Sequence, residues 1–146
     1  MAGFVVYAQG PSGGGGGNPF YDNMNGLAPN SRINRIIIAA QERVQCIHIF
    51  TADEQDLGQH GICGGNFDVF TLPDNDFITS VTGVSGDRVE SIEFETWLGG
   101  GARFGGPGGF NNYEFHAPPG LEIFGFFGRS GDEIDAIGVY MRRHVD

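Results

Sequence analysis

A chain of 146 residues that is 40% hydrophobic, with 13 phenylalanines, has the material for one packed core and is not a disordered composition. Its 26 glycines follow no Gly-X-Y period, which excludes collagen. A formal charge of −10, with Arg142-Arg143 as the one locally basic pair, argues against nucleic acid or an anionic membrane as partner, and no apolar run approaches the roughly 18 residues of a membrane-spanning helix.

In chain order, Met1–Ala8 lacks a charged n-region and is too short for a leader's apolar stretch, so it is read as a first strand. A chain without a leader is expected in the cytoplasm or exported unconventionally. Gly13–Gly17 follows, a run that in isolation would be a flexible linker. Beyond it, β-branched and aromatic residues alternate through Arg35–Ala39, Val44–Thr51, Phe67–Leu72, Ile78–Gly83, Val89–Thr96, Tyr113–His116, Ile123–Phe127 and Ile134–Tyr140. Turn clusters separate these runs at short intervals, and no window of about 12 residues sustains a helical period. The pattern predicts an all-β sandwich, barrel or prism, with residues 1–146 forming a single domain.

A repeat organises these strands. Gly131-Asp-Glu-Ile-Asp-Ala-Ile-Gly-Val139 echoes Gly86-Asp-Arg-Val-Glu-Ser-Ile-Glu-Phe94 and, more faintly, Gln41-Glu-Arg-Val-Gln-Cys-Ile-His-Ile49. Starts at 41, 86 and 131 give a spacing of 45 and predict a threefold architecture. The same shift superposes Ile33, Ile78 and Ile123, then Ile36, Val81 and Phe126, then Val44, Val89 and Ile134. Ile47, Ile92 and Ile137 follow, and then Ile49, Phe94 and Val139; apolar residues two apart share one face of a strand and are expected in the core. Glycine-rich segments closing at Gly17, Gly65 and Gly109 also recur, which argues against a linker at Gly13–Gly17. The last phrase has no such segment after it and the first segment has no phrase before it. The repeat is therefore circularly offset, and the chain ends should meet to complete one unit.

Within Gly131–Asp135, glycine permits a tight turn that points successive backbone N–H groups one way, and Asp135 presents an acceptor carboxylate four positions on. Donors beside one strong acceptor suit a pair of vicinal sugar hydroxyls, each of which donates and accepts. The bland alternative is a carboxylate capping a hairpin. No Gly-Lys-Ser/Thr ending follows the glycines, so a P-loop is excluded. The four histidines lack metal-ligand spacing, and neither metal nor cofactor is expected. Trp97 is expected to be structural, with an interface anchor as the alternative.

The chain resembles the jacalin-related lectins, the β-prism I fold. The residues that carry the resemblance are Gly10-Pro-Ser-Gly-Gly-Gly-Gly-Gly-Asn-Pro-Phe20, Arg32-Ile-Asn-Arg-Ile-Ile-Ile38, His60-Gly-Ile-Cys-Gly-Gly65, Val81-Thr-Gly83, Ile92-Glu-Phe-Glu-Thr96, Phe104–Gly109 and Gly125-Phe-Phe-Gly-Arg-Ser-Gly-Asp-Glu-Ile-Asp-Ala-Ile-Gly-Val-Tyr140. The resemblance implies three four-stranded Greek-key sheets in a triangular prism with a metal-free carbohydrate site at one end. It implies sugar contacts from the Asp135 side chain, from the backbone N–H groups of Asp132 and Glu133 after Gly131, and from that of Gly17. A continuous chain before Gly17, with Asp132 and Glu133 where galactose-binding members carry aromatics, is similar to the mannose/glucose branch.

The other copies are graded by what they keep. Gly86-Asp87-Arg88-Val89-Glu90, with Gly109 as partner, retains the glycine and an acid, so Glu90 either binds a second sugar or pairs with Arg88. The copy at Gln41-Glu42-Arg43-Val44-Gln45, facing Gly65, has lost both and is the weakest candidate. If the prism holds, Cys46 and Cys63 are close, either as a disulfide or as two reduced thiols. The expected function is reversible, non-enzymatic recognition of mannose/glucose-containing glycans, with weak binding at each shallow site multiplied by homo-oligomers. The alternative is a structural or protein-interaction prism with vestigial sites.

Overall fold

The computed structural model describes residues 5–24, 27–28 and 31–145. Its strands are β1 (Tyr7–Gly13) and β2 (Asn18–Tyr21), then β3 (Ile33–Ala40), β4 (Val44–Thr51), β5 (Asp56–Gly61) and β6 (Asp68–Thr71). They continue with β7 (Ile78–Ser85), β8 (Val89–Thr96), β9 (Gly101–Gly105) and β10 (Asn111–His116), and end with β11 (Leu121–Ser130) and β12 (Ile134–Arg143). Among the described residues there is no helix.

All pairings are antiparallel and fall into three groups of four. The first face runs β1-β12-β11-β2, the second β5-β4-β3-β6 and the third β9-β8-β7-β10. A single bridge between Ile123 and Ile78 joins the first and third faces edgewise. In each face the two inner strands form a hairpin whose turn is the repeated phrase, and shorter strands flank it. The first face takes β1 and β2 from the start of the chain and β11 and β12 from its end, as the circular offset of the repeat requires. The glycines at 13–17 end β1 and lead into β2 and are no linker.

The core is the superposed apolar set. Every member of the five triplets, from Ile33/Ile78/Ile123 to Ile49/Phe94/Val139, is 3% exposed or less. Aromatic rings lock the faces together in the interior: Phe94 of the third face stacks on Phe70 of the second at 5.3 Å and meets Phe126 of the first edge-on at 6.2 Å. Burying each such side chain stabilises the fold by about 1.5–3 kcal/mol.

The flanking strands depart from expectation. The first strand begins at Tyr7 rather than near the start of the chain, and Met1–Phe4 lie outside the described residues. Strands β2, β5 and β9 carry Asn18-Pro-Phe-Tyr21, Asp56-Leu-Gly-Gln-His-Gly61 and Gly101-Ala-Arg-Phe-Gly105, which show little alternation. As outer strands with a partner on one side, each adds a single large apolar side chain to the core, Phe20, Leu57 and Phe104, which is too few to write an alternating pattern.

A buried polar tie joins the first face to the second. Asp22, 1% exposed, accepts from Phe126 N at 2.8 Å through Oδ2 and bonds His60 Nε2 at 2.7 Å through Oδ1. Phe20 stacks on that imidazole at 4.0 Å. Burial pushes the Asp22 carboxyl above its ordinary range, against the opposing pull of the His60 hydrogen bond. Asp22→Ala strands two buried donors, and we expect a loss of about 2–3 kcal/mol. Urea unfolding should show a lower midpoint with an unchanged m value, and a shift equivalent to less than about 0.5 kcal/mol would mean that the tie is not structural.

Candidate functional site

The three phrases turn at one end of the prism, and the glycine-rich loops close over them in a ring. Each loop presses on the second residue of another copy's phrase. A Cβ at Gly14 would lie 2.2 Å from the Asp87 carbonyl oxygen, and one at Gly106 would lie 2.6 Å from that of Glu42. Ile62 N donates to the Asp132 carbonyl at 3.3 Å. Residues 42, 87 and 132 are related by the repeat, so the loops interlock cyclically.

The third residues of the phrases meet inside this ring. Glu133 Oε1 accepts from Arg88 Nη1 at 2.7 Å and from Arg43 Nε at 3.1 Å. Both arginines are substantially exposed, so the trio adds little stability. Its effect is positional: the Glu133 side chain is held toward the two arginines. The hydrogen bond from Arg88 to Glu133 raises the guanidinium's pKa above its ordinary value, so Arg88 remains charged. Arg88 therefore pairs with Glu133 and not with Glu90, contrary to one of the sequence expectations.

Asp135 lies at the start of β12, 7% exposed. Among the described residues no hydrogen bond occupies its carboxylate oxygens, and the cation facing it is Arg88, with Nε 3.8 Å from Oδ2. The carboxylate faces a cleft of about 320 Å³ lined by Gly17, Arg88, Gly131, Asp132, Glu133 and Asp135. All five residues expected at this site from the sequence therefore border one space. The N-terminal loop is seated against the acid: Gly14 N donates to Asp135 O at 2.9 Å, and Cβ atoms at Gly16 and Gly17 would fall 2.6 and 2.7 Å from the carboxylate oxygens. Arg129, to which the sequence reading assigned no role, grips the outside of this loop. Its Nε donates to Gly16 O at 2.9 Å and its Nη2 to Gly17 O at 2.8 Å. In a trans peptide the Gly17 N–H points opposite to the Gly16 carbonyl, so this grip turns the N–H away from Arg129. Only the three-dimensional pairing of β11 with β2 reveals that role.

The second copy preserves the arrangement of acid and glycines. A Cβ at Gly108 would lie 2.6 Å from Glu90 Oε1, and one at Gly109 would lie 2.9 Å from Glu90 Cγ. The added feature is Phe110, 79% exposed, whose ring covers Gly86 at 3.2 Å from a Cβ there. In the third copy the relation is gone. Neither Gly64 nor Gly65 would bring a Cβ within 4 Å of anything, and an open basin of about 430 Å³ separates their loop from Gln41 and Gln45. Cys46 and Cys63, expected to be close if the prism holds, are joined as a disulfide with a Cα–Cα distance of 4.8 Å that fixes this loop to β4.

The family model described as a jacalin-like lectin domain matches residues 9–140. The chain belongs to the jacalin-like lectin domain family. Among solved structures, a Malaysian banana lectin is 26% identical over 97% of this chain and 100% of its own, at a TM-score of 0.79. The mannose-binding lectin from champedak is 26% identical over 97% of this chain and 99% of its own, at 0.80. Artocarpin in complex with mannotriose is 25% identical over 97% and 99%, at 0.78. No curated protein matches the chain in sequence.

The end of the lectin opposite the ring carries a different, more apolar depression of about 250 Å³. Trp97, 66% exposed, stacks there on Phe77 at 5.6 Å. Trp97 itself lies outside the packed core, as the exposed ring over the buried Phe77.

The glycine contacts give a direct test of which loop is built against an acid. Gly17 has φ of 66° and meets Asp135 and Ser130, so Gly17→Ala should cost at least about 1–2 kcal/mol. Gly65→Ala faces open space and should change stability by less than about 0.5 kcal/mol. Thermal unfolding of the two variants compares them, and equal losses would contradict the geometry.

Proposed function

We propose that residues 1–146 form one lectin domain that binds mannose- or glucose-type glycans reversibly at the Asp135 cleft, without cofactor, metal or bond cleavage. The observation that carries this reading is the Asp135 carboxylate. It is nearly buried, its oxygens are unused by the described residues, and it opens on a polar cleft beside glycine backbone. A nearly buried carboxylate that accepts no hydrogen bond from the described residues is costly even with Arg88 facing it, and two sugar hydroxyls donating to its oxygens supply the missing bonds. The same hydroxyls accept from the backbone N–H groups of Gly17, Asp132 and Glu133, while Gly131 leaves room for the ring. Arg88 balances part of the local negative charge, and the exposed Asp132 disfavours sialylated or phosphorylated glycans.

The relatives support the choice of sugar: one is named a mannose-binding lectin and another was solved with mannotriose. Glu90 with Gly109 forms a second, weaker site, where Phe110 narrows the approach to Gly86. One shallow site binds weakly, so the lectin works as a homo-oligomer that multiplies its sites. Support comes from exposed apolar side chains at the outer strands of the first face, where Val6 is 45% and Tyr21 72% exposed around one depression with Tyr140.

Asp135→Asn keeps the shape and removes the charge. Titration calorimetry with methyl α-mannoside should show affinity reduced by about tenfold or more. Glu90→Gln should leave the strongest site intact and lower only the number of sites. Unchanged binding in the Asp135 variant would defeat the assignment, and a wild type that binds no glycan would favour a structural prism.

A further inference from the structure

The three glycine-rich loops are held down by different means. The first is packed on Asp135 and gripped by Arg129, and the second is packed on Glu90. The third has no acid beneath it, and a Cβ at Gly64 or Gly65 would meet nothing. Among the described residues, two ties fasten residues 62–66. One is the disulfide from Cys63 to Cys46 of β4. The other is the amide of Ile62, which forks between Gln45 O at 3.2 Å and Asp132 O at 3.3 Å. The second branch of that fork reaches the turn that borders the Asp135 cleft. The bridge is also reachable: Cys46 is fully buried, but Cys63 borders the open basin of about 430 Å³ beside Gly64 and Gly65.

We infer that the Cys46–Cys63 bridge is a redox-sensitive lock on the sugar site, opened by a soluble dithiol reductant. A thiolate of the dithiol enters the basin and attacks the Cys63 sulfur. The S–S bond breaks and Cys46 leaves as a thiolate. The second thiol of the reagent then displaces Cys63 from the mixed disulfide. The reagent ends as a cyclic disulfide, oxidised by two electrons, and both cysteines end as thiols carrying the two protons it gave up. With the bridge open, the forked amide alone holds a loop that no acid packs against. The loop lifts, the Asp132 carbonyl loses its donor, and the turn whose Asp132 and Glu133 amides face the sugar loosens. The prism itself persists, because neither cysteine belongs to the five apolar triplets of the core. The oxidised protein is the binding form and the reduced protein the weaker one. The inference rests on the proposed sugar site at Asp135, whose affinity the lock would control.

The test measures methyl α-mannoside binding by titration calorimetry, with and without dithiothreitol, on the wild type and on the double variant Cys46→Ala/Cys63→Ser. Intact mass after thiol alkylation counts the opened cysteines. Reduction should weaken wild-type binding about threefold or more, the scale of one neutral hydrogen bond. The double variant should bind at that lower affinity whether or not dithiothreitol is present. Amide hydrogen exchange should rise on reduction at residues 62–66 and also at 131–133, while the inner strands stay protected. A fully reduced wild type that binds as tightly as the oxidised protein overturns the inference and leaves the Asp135 site standing. So does faster exchange confined to 62–66, a bridge that dithiothreitol cannot open in the folded protein, or a reduced protein that unfolds. An oxidised wild type that binds no sugar, yet shows exchange coupled between the two segments, defeats the Asp135 reading instead and leaves the lock without a site to control.

Discussion

The architecture depends on a ring of backbone contacts at one end of the prism. Gly14 lies on Asp87, Gly106 on Glu42, and the amide of Ile62 on the carbonyl of Asp132. Each glycine-rich loop therefore belongs to one copy of the repeat and is seated on another. Each loop is also bonded to its own face, Gly14 N to Asp135 O, Ile62 N to Gln45 O and Gly106 N to Glu90 O, so every loop ties two faces together. The glycines are required by this contact: at Gly14 and Gly106 a Cβ would overlap a carbonyl of the neighbouring copy. The Arg43–Glu133–Arg88 trio occupies the ring because the third residues of the phrases are brought together by the same closure. Three residues of one charge sign would repel there, and two cations sharing one carboxylate avoid that cost.

On this common frame the three copies diverge in a graded way. Asp135 and Glu90 both lie under paired glycines at contact distance, whereas the third glycine pair faces empty space. The first copy adds the Arg129 grip that fixes the Gly16–Gly17 peptides, and the second adds Phe110 over Gly86. The third exchanges charge for volume and takes a disulfide to hold its loop. Divergence among repeats that share a core gives one small domain three differently shaped junctions of turn and glycine loop.

Much of this was readable in the residues, for identifiable reasons. The inner strands β3, β4, β7, β8, β11 and β12 are buried on the prism interior, and a buried strand face writes an alternating apolar pattern. The shift of 45 residues picked out Ile47, Ile92 and Ile137 because the core constrains all three alike. Outer strands such as β5 and β9 were not readable, because ladder hydrogen bonds leave no trace in side-chain pattern. The acid–glycine pairing was legible as spacing, and the five residues expected around Asp135 do border one cleft. Arg129 and the Glu133 trio were not legible, since both depend on residues brought together from distant parts of the chain. Of the two alternatives for Glu90, the pairing with Arg88 is not formed, for the same reason: Arg88 points inward toward Glu133, while Glu90 is turned to its own glycine loop.

The central claim is that a carboxylate beneath a glycine loop, presented by one copy of a threefold repeat, is a hexose site. A crystal structure of the protein grown with methyl α-mannoside tests it most directly. The account predicts the pyranose in the cleft between Gly17 and Gly131, with two hydroxyls within hydrogen-bond distance of the Asp135 carboxylate and of the Gly17 amide. A sugar ordered only elsewhere on the molecule, for example in the aromatic depression beside Trp97, with the Asp135 cleft holding solvent alone, would contradict it.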